Sequence, residues 1–208
     1  MKLYLASGNP GKARELETLA AGTRLLGGER IEVASAAALG GMPEVVEDTG
    51  TFLGNARKKA LALAALLPAG GWALADDSGL CVDALGGAPG VESAYYAGPV
   101  SDAAANLAKL VAAMQGVPEE RRGAQFVCVL VLLGPGTERH FQGVCRGRLS
   151  VQPRGSGGFG YDPLFVPEGH TETLAELPAG AKNAVSHRGR AWAECAGWLA
   201  RRPQTVHE

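Results

Sequence analysis

Asp76 and Asp77 stand side by side where an apolar run, Trp72-Ala73-Leu74-Ala75, meets Ser78-Gly79. Burying a carboxylate is unfavourable unless a cation, a metal ion or hydrogen-bond donors accompany it. The pair reads as the end of a buried strand giving way to a glycine-bearing turn, and the carboxyl ends of strands are where reacting groups collect in α/β proteins. A carboxylate there can orient and deprotonate water or ligate a hard cation. Glu44, Glu47 and Asp48, in the acidic stretch 42–50, could supply a second oxygen ligand, although by itself that stretch reads as an acidic surface turn.

Three further groups carry chemistry. Ser7-Gly8-Asn9-Pro10-Gly11-Lys12 follows a short apolar run and opens a helical pattern. Backbone N–H groups at a helix N-terminus attract anions and Lys12 adds a full charge, so the segment resembles a phosphate-binding turn. It is not a Walker loop, and a plain glycine turn with a solvated lysine is the equal alternative on this segment alone. In Gly157-Gly158-Phe159-Gly160-Tyr161-Asp162-Pro163, glycines allow close approach of backbone to a ligand, Phe159 and Tyr161 offer faces for a base to stack on, and Asp162 can fix its orientation. Lys182 and Arg188 can donate to phosphate or to a base carbonyl, and His187 can donate to a ring atom. His140, His170 and His207 have no ligand-like neighbours.

The elements that must position these groups follow from periodicity. Residues 2–6 and 31–34 read as strands, and Leu16, Leu19 and Ala20 mark a helix between them. Leu53, Ala56, Ala60, Leu63 and Leu67 share one face of a helix that Pro68 ends. Residues 72–75 form the strand leading to the acidic pair, 86–98 an ordered glycine-rich loop, and Ser101 or Asp102 caps a helix with Leu107, Leu110 and Met114 inward. Residues 125–133 and 140–151 form a hairpin through Gly134-Pro135-Gly136, 155–163 a second glycine-rich loop, and 187–201 the last helix. Strands alternating with helices, plus one antiparallel hairpin, predict an α/β fold with a mixed sheet flanked by helices.

The 208 residues suit one domain, with 46% apolar and 20% charged residues typical of a globular chain. A net charge of −1 gives no global attraction to nucleic acid polymers or anionic membranes. No run reaches the ~18 apolar residues of a membrane span. The four cysteines form no Cys-x-x-Cys pair. Cys81 and Cys128 read as buried thiols of a cytoplasmic protein.

Taken in order, these segments resemble the inosine triphosphate pyrophosphatase family. They run from the 7–12 loop through Thr51-Phe52, Asn55-Ala56 and Lys59, Ala75-Asp76-Asp77-Ser78-Gly79-Leu80, Leu85-Gly86-Gly87-Ala88-Pro89-Gly90-Val91, Gly158-Phe159-Gly160-Tyr161-Asp162-Pro163 and Ala175-Glu176-Leu177 to Lys182 with Ser186-His187-Arg188. The resemblance spans residues 3 to about 192. It implies an elongated, two-lobed α/β domain over 1–208 with the site in the cleft between lobes. It implies hydrolysis of non-standard purine nucleoside triphosphates (ITP, dITP, XTP) to monophosphate and pyrophosphate, with Mg²⁺, by a cytoplasmic homodimer. By that resemblance Ser7, Gly8, Asn9, Pro10, Gly11 and Lys12 hold the triphosphate. Asp77 is catalytic base and metal ligand, with Glu47 or Asp48 as second ligand and Glu44 as the weaker choice. Ser78 contacts nucleotide, Phe159, Gly160, Tyr161 and Asp162 cradle the purine, and Lys182, His187 and Arg188 read its oxygen-bearing edge.

The sequence departs from the family pattern in three places. Tyr95 replaces an arginine, Gly54 replaces a glutamate, and the acidic loop is one residue shorter before Thr51. Two rival readings are a pyrophosphatase acting on pyrimidine or methylated nucleotides, and a nucleotide sensor without turnover. The carboxylates argue against the sensor, which would need cations more than bases.

Overall fold

The structure, a computed structural model, describes residues 1–25 and 28–202; His207 lies outside them. Six strands form one mixed sheet: β1 (Lys2–Ala6), β2 (Glu32–Ser35), β3 (Ala73–Val82), β4 (Gly123–Gly134), β5 (Thr137–Leu149) and β6 (Phe165–Pro167), in the order β2-β1-β3-β4-β5-β6. The pairs β2–β1 and β1–β3 are parallel, and the others are antiparallel. Five α-helices flank it: α1 (Pro10–Ala21), α2 (Phe52–Ala64), α3 (Ala103–Ala113), α4 (Ala179–Val185) and α5 (His187–Arg201). The mixed sheet with flanking helices is the one expected from sequence. The long strands β3, β4 and β5 run through the whole sheet, β1 and β2 pair at one end, and β6 pairs at the other, which makes the body elongated.

The period-2 alternation of the strands sets the layers. Leu74, Cys128, Leu130 and Leu132 pack on Leu16 and Ala20 of α1 and on Ala191, Cys195 and Leu199 of α5. Ala73, Ala75, Val129, Val131 and Leu133 face the opposite way, onto Ala56, Ala60 and Leu63 of α2. Toward the other end, Leu80, Val82 and Phe126 join Leu110 and Met114 of α3 and Leu149, Leu164 and Phe165 in a separate core.

Several boundaries move. The strand expected over 72–75 runs on to Val82, so the acidic pair lies within a ten-residue strand rather than at its end. The antiparallel partner β4 carries it past the aspartates, and cations from α1, α2 and α5 compensate their charge. Asp102, not Ser101, caps α3, accepting from the N–H groups of Ala104 and Ala105. The hairpin turns at 134–137, so β5 begins earlier than expected. Two short elements go beyond the periodicity: β6, which pairs with the end of β5, and α4, which carries Lys182.

Candidate active site

Because strand side chains alternate, adjacent Asp76 and Asp77 point to opposite faces of the sheet. Asp76 is in register with Leu130 of the α1/α5 core, and Asp77 with Val129 of the α2 core. β1 pairs with β3 only as far as Ala6↔Ala75. Beyond that point the edge of β3 has no partner from β1, and the segment following β1 carries Lys12 into the gap.

On the first face Asp76 is a hub. Its carboxylate takes Lys12 Nζ at 2.6 Å and Arg188 Nε at 2.8 Å, with Ser78 Oγ donating at 3.0 Å and Cys128 Sγ at 3.2 Å. Burial alone would raise the Asp76 pKa, but Arg188 and Lys12 outweigh it and hold the carboxyl well below the usual range. Arg188 also donates to Ser78 Oγ (2.9 Å) and to Glu15, which in turn accepts from Lys182. Lys182 donates to Asp162 at 2.7 Å. Arg188 sits in the first turn of α5, where the helix dipole disfavours a cation; Asp76 and Glu15 supply the compensation.

The first-face network explains two glycines. A Cβ on Gly11 would lie 2.6 Å from the Phe159 ring. The residue is glycine because the loop that carries Phe159 packs against the start of α1. Gly158, at φ +69°, leaves no room for a side chain beside Asp162 Oδ2, which accepts from Phe159 N at 2.8 Å. Lys182 Nζ and Arg188 Cζ lie over the Phe159 ring, 5.1 and 5.8 Å from its centre. Tyr161 is buried and donates to Ser93 O at 2.8 Å, anchoring the loop to the 90–98 segment. Asn9, Lys12, Ser78, Phe159, Gly160, Tyr161, Asp162, Lys182, His187 and Arg188 all line one cavity of about 110 Å³. A larger cavity, about 540 Å³, opens around Trp72 at the far ends of β1 and β3 and holds none of them.

The 7–12 loop is built less for backbone recognition than expected. Asn9 Oδ1 accepts from Gly11 N (2.8 Å) and Lys12 N (3.2 Å), and Ser7 Oγ accepts from Asn9 N, so three of its amides are engaged. Pro10, the first residue of α1, has no N–H to offer. Lys12 is the segment's one cation, and its Nζ is paired with Asp76. Ser7, Gly8, Asn9 and Pro10 line a separate cleft between α1 and the end of β2.

On the second face Lys59 of α2 donates to both Asp77 Oδ1 and Glu47 Oε2, each at 2.8 Å. Asp77 Oδ2 is buried and has no hydrogen-bond partner. Burial pushes the Asp77 pKa up to about 6 against the pull of Lys59 and Lys12. Glu47, burial notwithstanding, is held low by Lys59. Asp48 points away: it is exposed and pairs with Lys58 at 2.6 Å. Of the two candidates for second ligand, Glu47 is the one beside Asp77; Glu44 makes no contact with either. Asn55 fixes the end of this loop, accepting from Thr49 N and Oγ1 at 3.2 and 2.8 Å.

Glu15, Lys59 and Asn55 complete the site beyond the expected residues. Lys59 and Asn55 lay in motif segments, but nothing local distinguished Glu15 from a solvated residue on a helix; only the fold brings it to Lys182 and Arg188. Tyr95 is 46% exposed and takes no part in either network.

His187 is buried, stacked on Phe126 (centroids 4.7 Å, planes 11° apart), and its Nδ1 has no partner. Burial, then the Arg188 charge, pushes its pKa well below 6.5. The native imidazole is therefore neutral, whereas the unfolded chain binds a proton near pH ~6.5. This contribution to stability is intact above ~6.5 and is lost as pH falls toward the depressed native value. His187→Gln removes the linked proton. The stability gap between wild type and variant should close by about 1.4 kcal/mol between pH 7.5 and 5.5, read from urea midpoints; parallel pH profiles would refute a neutral His187.

The sequence profile of the Ham1 family matches residues 3–198. The chain belongs to the Ham1 family. Among Ham1 relatives, a dITP/XTP pyrophosphatase of Opitutus terrae is 61% identical, covering 95% of this chain and 98% of its own. One of Yersinia pseudotuberculosis is 50% identical, covering 91% and 93%. A solved HAM1 protein from Coxiella burnetii superposes with TM-score 0.82 at 35% identity, covering 97% of this chain and all of that one. The Staphylococcus aureus Ham1 protein gives 0.79 at 34%, covering 96% and 98%. The two-faced β3 strand is thus a feature of this chain's Ham1 fold, which three-layer packing holds in place.

Proposed function

We propose that this chain is a nucleoside-triphosphate pyrophosphatase that hydrolyses non-standard purine nucleotides such as dITP, ITP and XTP to the monophosphate and pyrophosphate. The single observation that carries the reading is Asp77: a buried carboxylate with one oxygen on Lys59 and the other unpartnered, next along the strand to the residue that anchors Lys12 and Arg188. The purine sits on Phe159, the phosphates pass Lys12 around the open edge of β3, and the scissile bond lies on the Asp77 face. Asp77 orients a water and takes its proton as the oxygen adds to the α-phosphorus and the bond to the β-phosphate breaks. Lys12 and Lys59 offset charge on the phosphates. Such reactions ask mainly for positioning and charge neutralisation.

The donor set fits a hard divalent cation. The unpartnered Asp77 Oδ2 and the neighbouring Glu47 offer oxygens only, and no cluster of three or more acidic, histidine or cysteine ligands exists among the described residues. Mg²⁺ suits such a site, since one or two carboxylates plus substrate phosphates and waters complete its shell. Lys12, Lys59, Lys182 and Arg188 are outnumbered by Glu15, Glu47, Asp76, Asp77 and Asp162. An uncompensated triphosphate would meet no net positive field. When bound, Mg²⁺ supplies charge neutralisation and Lewis acidity. Glu47→Gln should raise the Mg²⁺ concentration for half-maximal hydrolysis ~10-fold or more, whereas Asp48→Asn should leave it within about twofold, as expected of an exposed pair. Equal effects would remove the distinction.

Base choice rests on hydrogen-bond polarity. A 6-oxo purine presents an acceptor where adenine presents an amino donor, and donors from Lys182, His187 or Arg188 would be left unpaired by adenine, a penalty that can reach ~10⁴. Pyrophosphate release measured across common and deaminated triphosphates, with and without Mg²⁺, tests the function; equal turnover of ATP and dITP would sink it. Homodimerisation and a cytoplasmic site of action are carried over from the family resemblance, and no helix among the described residues is long and apolar enough to cross a membrane.

A further inference from the structure

We propose that Asn106 is a positioning residue for purine recognition, clipping the 94–97 segment into place so that Ala94, with the preceding Ser93, forms one wall of the base pocket. Asn106 projects from α3 and is 4% exposed. Its Nδ2 donates to Ala94 O at 2.8 Å and its Oδ1 accepts from Ala97 N at 2.6 Å. A carboxamide alone, at this side-chain length, presents a donor and an acceptor at once, so both ends of the four-residue segment hang on one side chain.

Asn106 is the residue that ties the two ends of the segment together. The segment belongs to no helix or strand, and Ala94, Tyr95 and Ala97 are exposed. Besides local turns, it is fastened by the Tyr96 side chain, which packs against the core around Leu110 and lies under Lys109, by Lys109 donating to Tyr96 O at the surface, and just before it by Tyr161 donating to Ser93 O. Tyr161 comes from the loop that carries Phe159. The same cavity is lined by Ser93, Ala94 and Asn106 together with Phe159, His187 and Arg188, whereas Glu47, Lys59 and Asp77 do not line it. Loosening the clip therefore changes the width of the base pocket and leaves the cleavage face alone.

The inference rests on the purine occupying this cavity, and the test separates the two. Binding of inosine monophosphate, which has a base, is compared with inhibition by inorganic tripolyphosphate, which has none, for wild type, Asn106→Ala, Asn106→Asp and Phe159→Ala. The Asp variant keeps the acceptor for Ala97 N, loses the donor to Ala94 O, and serves if the Ala variant does not fold. Loss of one or two hydrogen bonds should weaken inosine monophosphate about tenfold, raise KM for ITP by a similar factor with kcat within about threefold, and leave tripolyphosphate inhibition unchanged. Unaltered monophosphate affinity in a folded Asn106 variant, with Phe159→Ala impaired, overturns the role of Asn106 alone. A parallel loss of both affinities overturns it too, because that is general loosening. Unaltered affinity in Phe159→Ala overturns the placement of the purine.

Discussion

Asp77→Asn should lower the turnover of dITP or ITP by at least ~10²-fold, the lower range for loss of a general base, with a much smaller change in KM. The asymmetry follows from geometry. Asn keeps the shape and can still accept from Lys59, which retains Glu47 as its ionic partner. Phe159, where the purine is proposed to sit, and Lys12 lie with the Asp76 network on the other face and are not touched by the change. What disappears is a carboxylate oxygen that is buried, unpartnered and able to accept a proton. Steady-state pyrophosphate release at saturating Mg²⁺ decides the matter: turnover within tenfold of wild type would take Asp77 out of the chemistry.

Asp76→Asn should act chiefly on the fold. Lys12 loses its ionic partner and Arg188, which is 1% exposed, loses one of its two. Removing one partner of a buried pair strands the other charge and costs about 3–5 kcal/mol, against the ~5–15 kcal/mol total stability of a typical domain. Glu15 still reaches Arg188, which tempers the loss. Urea unfolding should show a much lower midpoint with unchanged slope, and hydrolysis should fall because the base-reading and phosphate-binding groups no longer share an anchor. A midpoint shift worth under ~1 kcal/mol would mean the hub is solvated and the network incidental.

Much of the fold was legible because hydrophobic period and punctuation agreed: Leu16 and Ala20, Ala56, Ala60 and Leu63, and Leu110 and Met114 are buried as their spacing predicts. The two short elements β6 and α4 escaped because three or seven residues carry too little periodicity. The strand through the aspartates was cut short for a sound local reason, the cost of burying charge; the compensating cations come from residues 12, 59 and 188, far away in sequence. The same distance hid Glu15, whose partners lie more than 160 positions on. Motif order points to these segments, but how their side chains divide between the two faces follows only from side-chain direction. Of the acidic loop, Glu47 turns to Lys59 while Asp48 turns to Lys58.

A one-residue step along β3 moves a side chain from one surface of the sheet to the other, so the sheet works as a partition wall. Under the proposed function, discrimination among bases falls in one room and bond breaking in the next, with a doorway at the edge of β3 that β1 leaves unpaired. If the roles divide in that way, drift in the first room would retune which nucleobase is admitted without disturbing the hydrolytic apparatus, and a chain so divided would acquire a new preference while it keeps its speed.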